Sequence, residues 1–116
     1  MITAARWAAE IRKMNEAFPW FRPFESENQI GFIGKLSTPS RKAHSVKIVG
    51  WKRGYPAMPP LIFIEPRVGP NWCADGSLCV QRKWDFSSTF AQQVLYAIAY
   101  LDEQQLRKQI NGESAQ

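Results

Sequence analysis

The sequence is poor in the residues that build metal sites and acid–base pairs. It has two cysteines, Cys73 and Cys79, and a single histidine, His44. Two thiols and one imidazole do not complete a tetrahedral zinc site without carboxylates, so we predict no metal and no other cofactor. The histidine is also remote in sequence from both cysteines, which argues against a protease-like cysteine–histidine pair. Because His44 precedes a predicted strand, we expect it in a surface or capping position.

Long apolar runs, a leader and internal repeats are missing as well. No run approaches the roughly 20 apolar residues of a membrane helix, and residues 1–6 lack the basic start and apolar stretch of a signal peptide. We therefore expect a cytoplasmic protein with no membrane partner. The 116 residues, 45% of them hydrophobic, suffice for one core. They predict a single domain over residues 1–116.

The charge balance gives only a weak indication of partners. The net charge is +5, from 15 Lys and Arg against 10 Asp and Glu, which is compatible with acidic partners. The basic residues occur as scattered pairs, such as Arg12-Lys13 and Lys52-Arg53, and the five tryptophans do not interleave with them. Stacking on single-stranded nucleic acid therefore has little support. The basic pairs are either docking points or simply solvated.

Apolar periodicity predicts an α+β domain that begins with a helix. Over residues 3–17 an apolar stripe falls on one face, formed by Ala4, Trp7, Ala8, Ile11 and Met14. The charged residues, Glu10 among them, fall mostly elsewhere. Strands are predicted over residues 21–27, 29–37, 45–51 and 61–64, and the short connections favour an antiparallel meander. The last strand is continuously apolar, so we expect it to be buried on both faces.

A second, longer helix is predicted after the strands. Ser87, Ser88 and Thr89 are three candidate N-caps. The following residues form one apolar stripe, made up of Ala91, Val94, Leu95, Ile98, Leu101 and Leu106. Asn111-Gly112 is a natural stop, since both residues accept the left-handed conformation of a C-cap. We therefore expect the helix to end near Gln109 and residues 113–116 to be frayed.

Cys79 is the strongest candidate for a chemically reactive residue in the sequence. Arg82 and Lys83 follow it closely, and positive charge favours a thiolate. A thiol without a neighbouring base can still exchange thioesters, because the acyl group it attacks is already reactive. A buried core cysteine is the alternative, and it is the one that composition alone favours.

The stretch from Tyr55 to Leu101 resembles the ubiquitin-conjugating enzyme family. That family has a Tyr-Pro-x-x-Pro-Pro turn, an apolar strand, a His-Pro-Asn segment, a Gly-x-Ile/Leu-Cys segment, and then a Trp and a Ser/Thr before a long crossover helix. The matching residues here are Tyr55, Pro56, Pro59, Pro60, Pro70, Asn71, Gly76, Leu78, Cys79, Trp84 and the Ser87–Thr89 cluster. Cys79 lies eight residues after Asn71, which is the family spacing.

The resemblance implies a cysteine that carries an acyl group. Cys79 would hold the C-terminus of a ubiquitin-like protein as a thioester, received from an activating enzyme, and pass it to a target amine. Asn71 would support the loop and donate a hydrogen bond to the oxyanion of the tetrahedral intermediate. Asp85 would orient or deprotonate the incoming lysine; an ordinary carboxylate at the approach to a helix is the alternative. Docking of partners is implied at the first helix and before Pro56, which contain Arg6, Arg12, Lys13, Lys52 and Arg53.

The departures from the family pattern indicate which members of the family the chain resembles most. Gly69 replaces the histidine that braces the loop in the family, and Trp84 follows Cys79 by five residues, which shortens the active-site flap. The C-terminal helices of the family have no counterpart. These features resemble trimmed bacterial members, some of which accompany nucleotide cyclases of anti-phage CBASS operons. A cyclase C-terminus is therefore a second candidate for the acyl group.

Two further questions stay open at the level of the sequence. Cys73 is not part of the family pattern, and it could form a disulfide with Cys79, accept an acyl group, or remain a plain thiol. The fold also occurs in relatives that only bind other proteins. A non-catalytic binding module is therefore the alternative to an acyl carrier.

Overall fold

Two helices and four strands follow one another in the computed structural model, which describes residues 1–114. The elements are helix α1 (Ala4–Ala17), strands β1 (Arg22–Glu25), β2 (Gln29–Ser37), β3 (Ala43–Trp51) and β4 (Leu61–Glu65), and helix α2 (Phe90–Ser114). The strands form one antiparallel sheet in the order β1-β2-β3-β4. The predicted α+β class, N-terminal helix, four-stranded meander and long second helix are confirmed.

One face of the sheet carries the core. Phe32 of β2 lies opposite Ile48 of β3, which lies opposite Ile62 of β4, and all three are at most 1% exposed. Both helices pack on this face. The Trp7 ring of α1 lies 5.3 Å from that of Phe32 and 6.0 Å from that of Phe90 in α2. Each buried side chain of this size stabilises the fold by about 1.5–3 kcal/mol, so these contacts fix both helices against the sheet.

The opposite face of the sheet is open, because both described helices lie on the core face. It presents apolar side chains among cations: Arg22, Phe24, Ile33, Lys35, Lys47, Trp51, Leu61 and Phe63. The prediction that residues 61–64 are buried on both faces is therefore wrong. Ile62 and Ile64 are buried, whereas Leu61 and Phe63 are only half-buried, since β4 is an edge strand with a helix on one side only.

Helix α1 buries one of its charged residues. Thr3 caps the helix by accepting a hydrogen bond from the Arg6 N–H at 3.0 Å. Glu10 is then 1% exposed, as deeply buried as Met14, while Ala4 and Ala8 of the predicted stripe are exposed. The expectation that Glu10 falls off the apolar face is wrong, because it lies three residues after Trp7 and four before Met14, and its carboxylate has partners on two distant segments that are described below.

Helix α2 turns a different face to the sheet from the one its leucines predict. Leu95 and Leu106 are 56% and 57% exposed. The buried residues of the helix are Phe90, Ala91, Gln93, Val94, Ala97, Tyr100 and Leu101. Ala91, Val94 and Leu101 of the predicted stripe are thus confirmed as core, and Ile98 is half-buried against it, whereas Leu95 and Leu106 are exposed. Because the large rings of Phe90 and Tyr100 pack toward the sheet, Leu95 and Leu106 face away from it.

At α2 the predicted N-terminal cap is confirmed, whereas the predicted C-terminal stop is wrong. Thr89 is the cap that the structure selects: its hydroxyl accepts from the Gln92 N–H at 3.2 Å, and the Gln92 amide oxygen accepts from the Thr89 N–H at 3.0 Å, a capping box. The predicted stop at Asn111-Gly112 is wrong, since the helix continues to Ser114. A glycine costs a helix only about 1 kcal/mol relative to alanine. Of the residues expected to fray, 115–116 lie outside the described ones.

His44 lies inside the molecule, so its predicted surface position is wrong. It is 1% exposed, on the core face of β3 beside Val46. Its Nδ1 lies 2.8 Å from the carbonyl oxygen of Pro66, the residue that follows β4. A histidine with a backbone partner at this distance is satisfied without water.

Candidate active site

The connection between β4 and α2 brings the two cysteines together. Cys73 and Cys79 form a disulfide across a separation of six residues, with their Cα atoms 5.1 Å apart. Of the three alternatives for Cys73, the structure therefore has the disulfide. Cys79 is exposed and Cys73 is half-buried. The alternative of a buried core cysteine at position 79 is wrong.

The loop between the cysteines is closed by its own backbone. The Cys73 N–H donates to the Ser77 carbonyl at 2.8 Å, and the Gly76 N–H donates back to the Cys73 carbonyl at 3.0 Å. The Asp75 carboxylate accepts from the Ser77 N–H at 2.9 Å and from its hydroxyl at 2.6 Å, and these bonds lower the pKa of Asp75. None of these contacts involves sulfur, so the turn does not depend on the disulfide for its shape.

Asn71 lies directly beside Cys79. The Cys79 N–H donates to the Asn71 carbonyl at 2.8 Å, next to the bridge that pairs Trp72 with Leu78. Asn71 is exposed, and among residues 1–110 no hydrogen bond holds its side-chain amide. The backbone of Asn71 thus holds the cysteine in place, while its amide is available to a bound group.

Tyr100 of α2 fastens this segment to the body of the protein. Its hydroxyl donates to the Val68 carbonyl at 2.7 Å and accepts from the Asn71 N–H at 3.4 Å, and the Trp72 ring packs edge-on against it at 5.8 Å. Burial raises the pKa of Tyr100, so the hydroxyl stays protonated and keeps donating. Sequence reasoning missed this residue, because nothing at the level of the motif places an α2 tyrosine under the loop.

The close approach of Tyr100 explains why a glycine stands at position 69. Gly69 has φ +73°, and a Cβ there would collide with the Tyr100 hydroxyl and lie 2.6 Å from the Gln104 side-chain amide. Any side chain at this position would strain the backbone and force the Tyr100 hydroxyl or the Gln104 amide to move. The Tyr100 hydroxyl thus holds the loop where Gly69 leaves room for it.

We expect Gly69→Ala to lower the free energy of unfolding by about 2 kcal/mol, because alanine resists a positive φ and its methyl would meet Tyr100 and Gln104. Gly54→Ala is the control: its φ is not positive, and its Cβ would meet only atoms of the flexible Met58 side chain, of which the sulfur, at 3.2 Å, is nearest. Urea unfolding of both variants measures the difference. Equal losses would show that Gly69 is not constrained by α2.

The charges around Cys79 differ from those expected. Arg82 turns away from it: one guanidinium nitrogen donates to the Pro60 carbonyl at 2.8 Å and to the Gln93 amide oxygen at 2.7 Å, and burial lowers the pKa of Arg82. The cation that lies over the loop is Arg67. Its guanidinium is 5.6 Å from the Trp72 ring centroid and would lie 2.6 Å from a Cβ placed on Gly76.

Asp85 lies in the turn before α2 rather than at the cysteine. Its carboxylate accepts hydrogen bonds from the Ser87 N–H, at 2.8 Å, and the Ser87 hydroxyl. These bonds lower the pKa of Asp85, which weakens it as a base. The cleft that it lines, with Tyr96 and Lys83, does not include Cys79. This geometry fits the alternative of an ordinary carboxylate at the approach to a helix.

The basic residues expected at docking surfaces divide into two groups. Arg12, Lys13 and Arg53 are exposed. Lys52 pairs with Glu25 at 2.8 Å. Arg6 is used inside the molecule, because its guanidinium donates to backbone carbonyls in the segment before α2.

Arg6 and Glu10 form, with Tyr55, a buried cluster that ties α1 to the motif. The Glu10 carboxylate accepts from Arg6 Nε at 3.1 Å, from the Tyr55 hydroxyl, and from the Phe90 N–H at 3.2 Å. The last bond gives a partner to the Phe90 N–H, which has none within α2. It also places a negative charge at the N-terminal end of the helix, where the helix dipole is positive. Burial, followed by the hydrogen bond to Glu10, raises the pKa of Tyr55 far above its usual value. Tyr55 also stacks on Phe90, with ring centroids 4.6 Å apart.

Comparison with known proteins adds no assignment. The chain matches no protein-family model, no curated protein and no solved structure. Within residues 1–110, no three His, Cys, Asp or Glu side chains lie close enough to hold a metal ion. The same residues include no helix with both the length and the apolarity to cross a membrane.

Proposed function

We propose that the protein is a ubiquitin-conjugating-enzyme-like acyl carrier, in which the reduced Cys79 thiol holds an acyl group as a thioester. The observation that carries this proposal is the 2.8 Å hydrogen bond from the Cys79 N–H to the Asn71 carbonyl. It sets the two motif residues side by side at an exposed loop. The order of helix, antiparallel meander, loop and long helix is also the one that the resemblance implies.

The proposed chemistry needs one thiolate and one hydrogen-bond donor. The Cys79 thiolate attacks the carbonyl carbon of a donor thioester, the donor carbon–sulfur bond breaks, and the donor leaves as a thiol. An amine then attacks the new thioester, gives up a proton to solvent, and releases Cys79 as the product amide forms. Each attack passes through an oxyanion, and in this proposal the Asn71 amide donates a hydrogen bond to it. Tyr100 contributes by holding the Asn71 backbone in place.

The acyl group would be the C-terminus of a ubiquitin-like protein or of a nucleotide cyclase of bacterial anti-phage defence. An activating enzyme would supply the former. Docking would use the exposed cations of α1, Arg12 and Lys13, and Arg53 before the proline turn. Arg6 has no part in that surface, since its charge is satisfied internally.

Acyl transfer to Cys79 can be tested without knowing the natural donor. The phosphine-reduced protein is mixed with a glycine-terminated peptide carried as its mercaptoethanesulfonate thioester, and the adduct is measured by intact mass. We expect one peptide per wild-type chain and per Cys73→Ser chain, released by hydroxylamine, and none on Cys79→Ser. Loading of Cys79→Ser to the wild-type level, or no loading of either protein that retains Cys79, would refute the proposal.

The second candidate function is a binding module that uses the open face of the sheet. Ile33 and Trp51 on that face are 45% and 41% exposed, and Lys35 and Lys47 stand beside them. This chemistry fits a protein partner with an apolar patch rimmed by carboxylates. If Cys79→Ser retains every partner of the wild type in cell extracts while Ile33→Asp loses them, binding rather than carriage is the function.

A further inference from the structure

The disulfide occupies the sulfur that the proposed reaction needs. Cys79 cannot attack a thioester while its Sγ is bonded to Cys73. We propose that Cys73 and Cys79 form a reversible redox site, whose substrate is a dithiol reductant, and that Cys73 is the resolving thiol which withholds Cys79 from acyl groups. The redox couple stands on the geometry alone; only its effect on loading rests on the proposed function.

The two cysteines differ in exposure, and this difference sets the order of the exchange that we propose. Cys79 is exposed, whereas Cys73 is half-buried. A reductant thiolate therefore attacks the Sγ of Cys79 and forms a mixed disulfide, and Cys73 leaves as a thiolate that takes up a proton. The second thiol of the reductant then attacks the reductant sulfur that is bonded to Cys79, and Cys79 leaves as a thiolate that takes up a proton. Overall two electrons and two protons pass to the protein, and the reductant becomes a cyclic disulfide.

The loop keeps the two sulfurs near each other after reduction. The bonds from Cys73 to Ser77, from Gly76 to Cys73 and from Cys79 to Asn71 are all between backbone groups, at 2.8–3.0 Å. They remain when the sulfurs part, so the Cα atoms stay near their separation of 5.1 Å, within the range of a disulfide. Reoxidation is then intramolecular, which favours a closed pair over mixed disulfides with other thiols.

The surroundings of the loop favour reaction rather than burial of an inert bond. The Arg67 guanidinium lies over the ring of Trp72, the residue before Cys73, and against Gly76 within the loop, and positive charge at such a loop favours the thiolate form of its cysteines. Arg67 has no part in the acyl chemistry proposed above. The disulfide also lies outside the packed core formed by the sheet and the helices, so its reduction leaves that core intact.

The first experiment counts thiols and does not depend on acyl transfer. The full chain is equilibrated with mixtures of reduced and oxidised dithiothreitol, quenched with acid, alkylated with iodoacetamide and measured by intact mass. We expect wild type to pass from no alkylated cysteine to two, with less than about a tenth of the protein carrying one at any mixture. Cys73→Ser carries one throughout. Two alkylated cysteines at every mixture, or a persistent one-thiol species in wild type, would overturn the redox couple.

The second experiment measures the effect on loading with the same glycine-terminated peptide thioester. Oxidised wild type, freed of dithiothreitol, should load at least 50-fold less than reduced wild type, while Cys73→Ser treated in the same way loads as well as the reduced protein. If oxidised wild type loads fully, or if reduced Cys73→Ser loses loading, Cys73 does not control the carrier. If no reduced protein loads but the thiol count behaves as expected, the carrier function fails and the redox couple stands.

Discussion

Replacement of Arg6 with methionine is expected to lower the free energy of unfolding by about 3 kcal/mol, the low end of the range found when one partner of a buried ion pair is removed, because Glu10 is buried whereas the Arg6 side chain is 25% exposed. Glu10 is 1% exposed, and the substitution leaves its carboxylate with only the Tyr55 hydroxyl and the Phe90 N–H. It also removes the two bonds, 2.7 and 2.6 Å long, that hold the Phe86 and Ser88 carbonyls. Thermal or urea unfolding followed by circular dichroism measures the loss.

Two variants show whether the loss belongs to the cluster. Arg12→Met makes the same substitution at an exposed position of the same helix, and we expect it to change stability by no more than about 0.5 kcal/mol. The double variant Arg6→Met/Glu10→Met removes both charges and should be more stable than Arg6→Met alone, since no carboxylate is then left buried without its cation. Equal losses for Arg6→Met and Arg12→Met would contradict the role given to this cluster.

Asn71→Ala is expected to slow transfer of the acyl group from Cys79 to an amine by about 100- to 1,000-fold, the effect of removing one oxyanion donor. The loop itself should be unaffected, because the contacts of Asn71 to Cys79 and Tyr100 are made by its backbone. Transfer is measured on protein already loaded from the peptide thioester, by following the adduct mass after free lysine is added. Unfolding curves should match those of wild type.

The matched control for this effect is Gln81→Ala, which removes a side-chain amide from an exposed position two residues after Cys79. We expect its transfer rate to lie within about twofold of wild type. Two results would count against an oxyanion role for Asn71: an unchanged rate in Asn71→Ala, or a slower rate in both variants. A loss of stability in Asn71→Ala would instead indicate that its side chain braces the loop.

The parts of the site that the sequence predicts are those determined by neighbours along the chain. Asn71 and Cys79 meet across a tight turn, so a fixed spacing of eight residues is enough to place them together. Thr89 and Gln92 form their capping box within one turn of helix, and three adjacent hydroxyl residues made a cap in this place predictable. Strand order likewise follows from short connections.

The parts that the sequence does not predict depend on distant partners. Glu10 lies three residues after Trp7 and four before Met14, so a helical period allows it on the buried side of α1. The Tyr55 hydroxyl and the Phe90 N–H that stabilise a buried carboxylate there are 45 and 80 residues away, and the sequence gives no local sign of them. Tyr100 reaches Val68 across 32 residues, so its role at the loop has no local signal. The disulfide is an intermediate case: a separation of six residues permits it, but only the turn geometry brings the sulfurs together.

The loop that contains Cys79 also lies against the free edge of β4. The Leu78 N–H donates to the Ile62 carbonyl at 2.7 Å, in the middle of the apolar strand formed by Leu61–Glu65. An uncovered apolar edge is a template for pairing with another chain and leads to aggregation. A variant in which the Cys79 loop is shortened or opened should therefore self-associate through the exposed edge of β4, before any effect on its reactivity can be measured. Every assay of a loop variant of this protein should therefore include light scattering, which detects self-association.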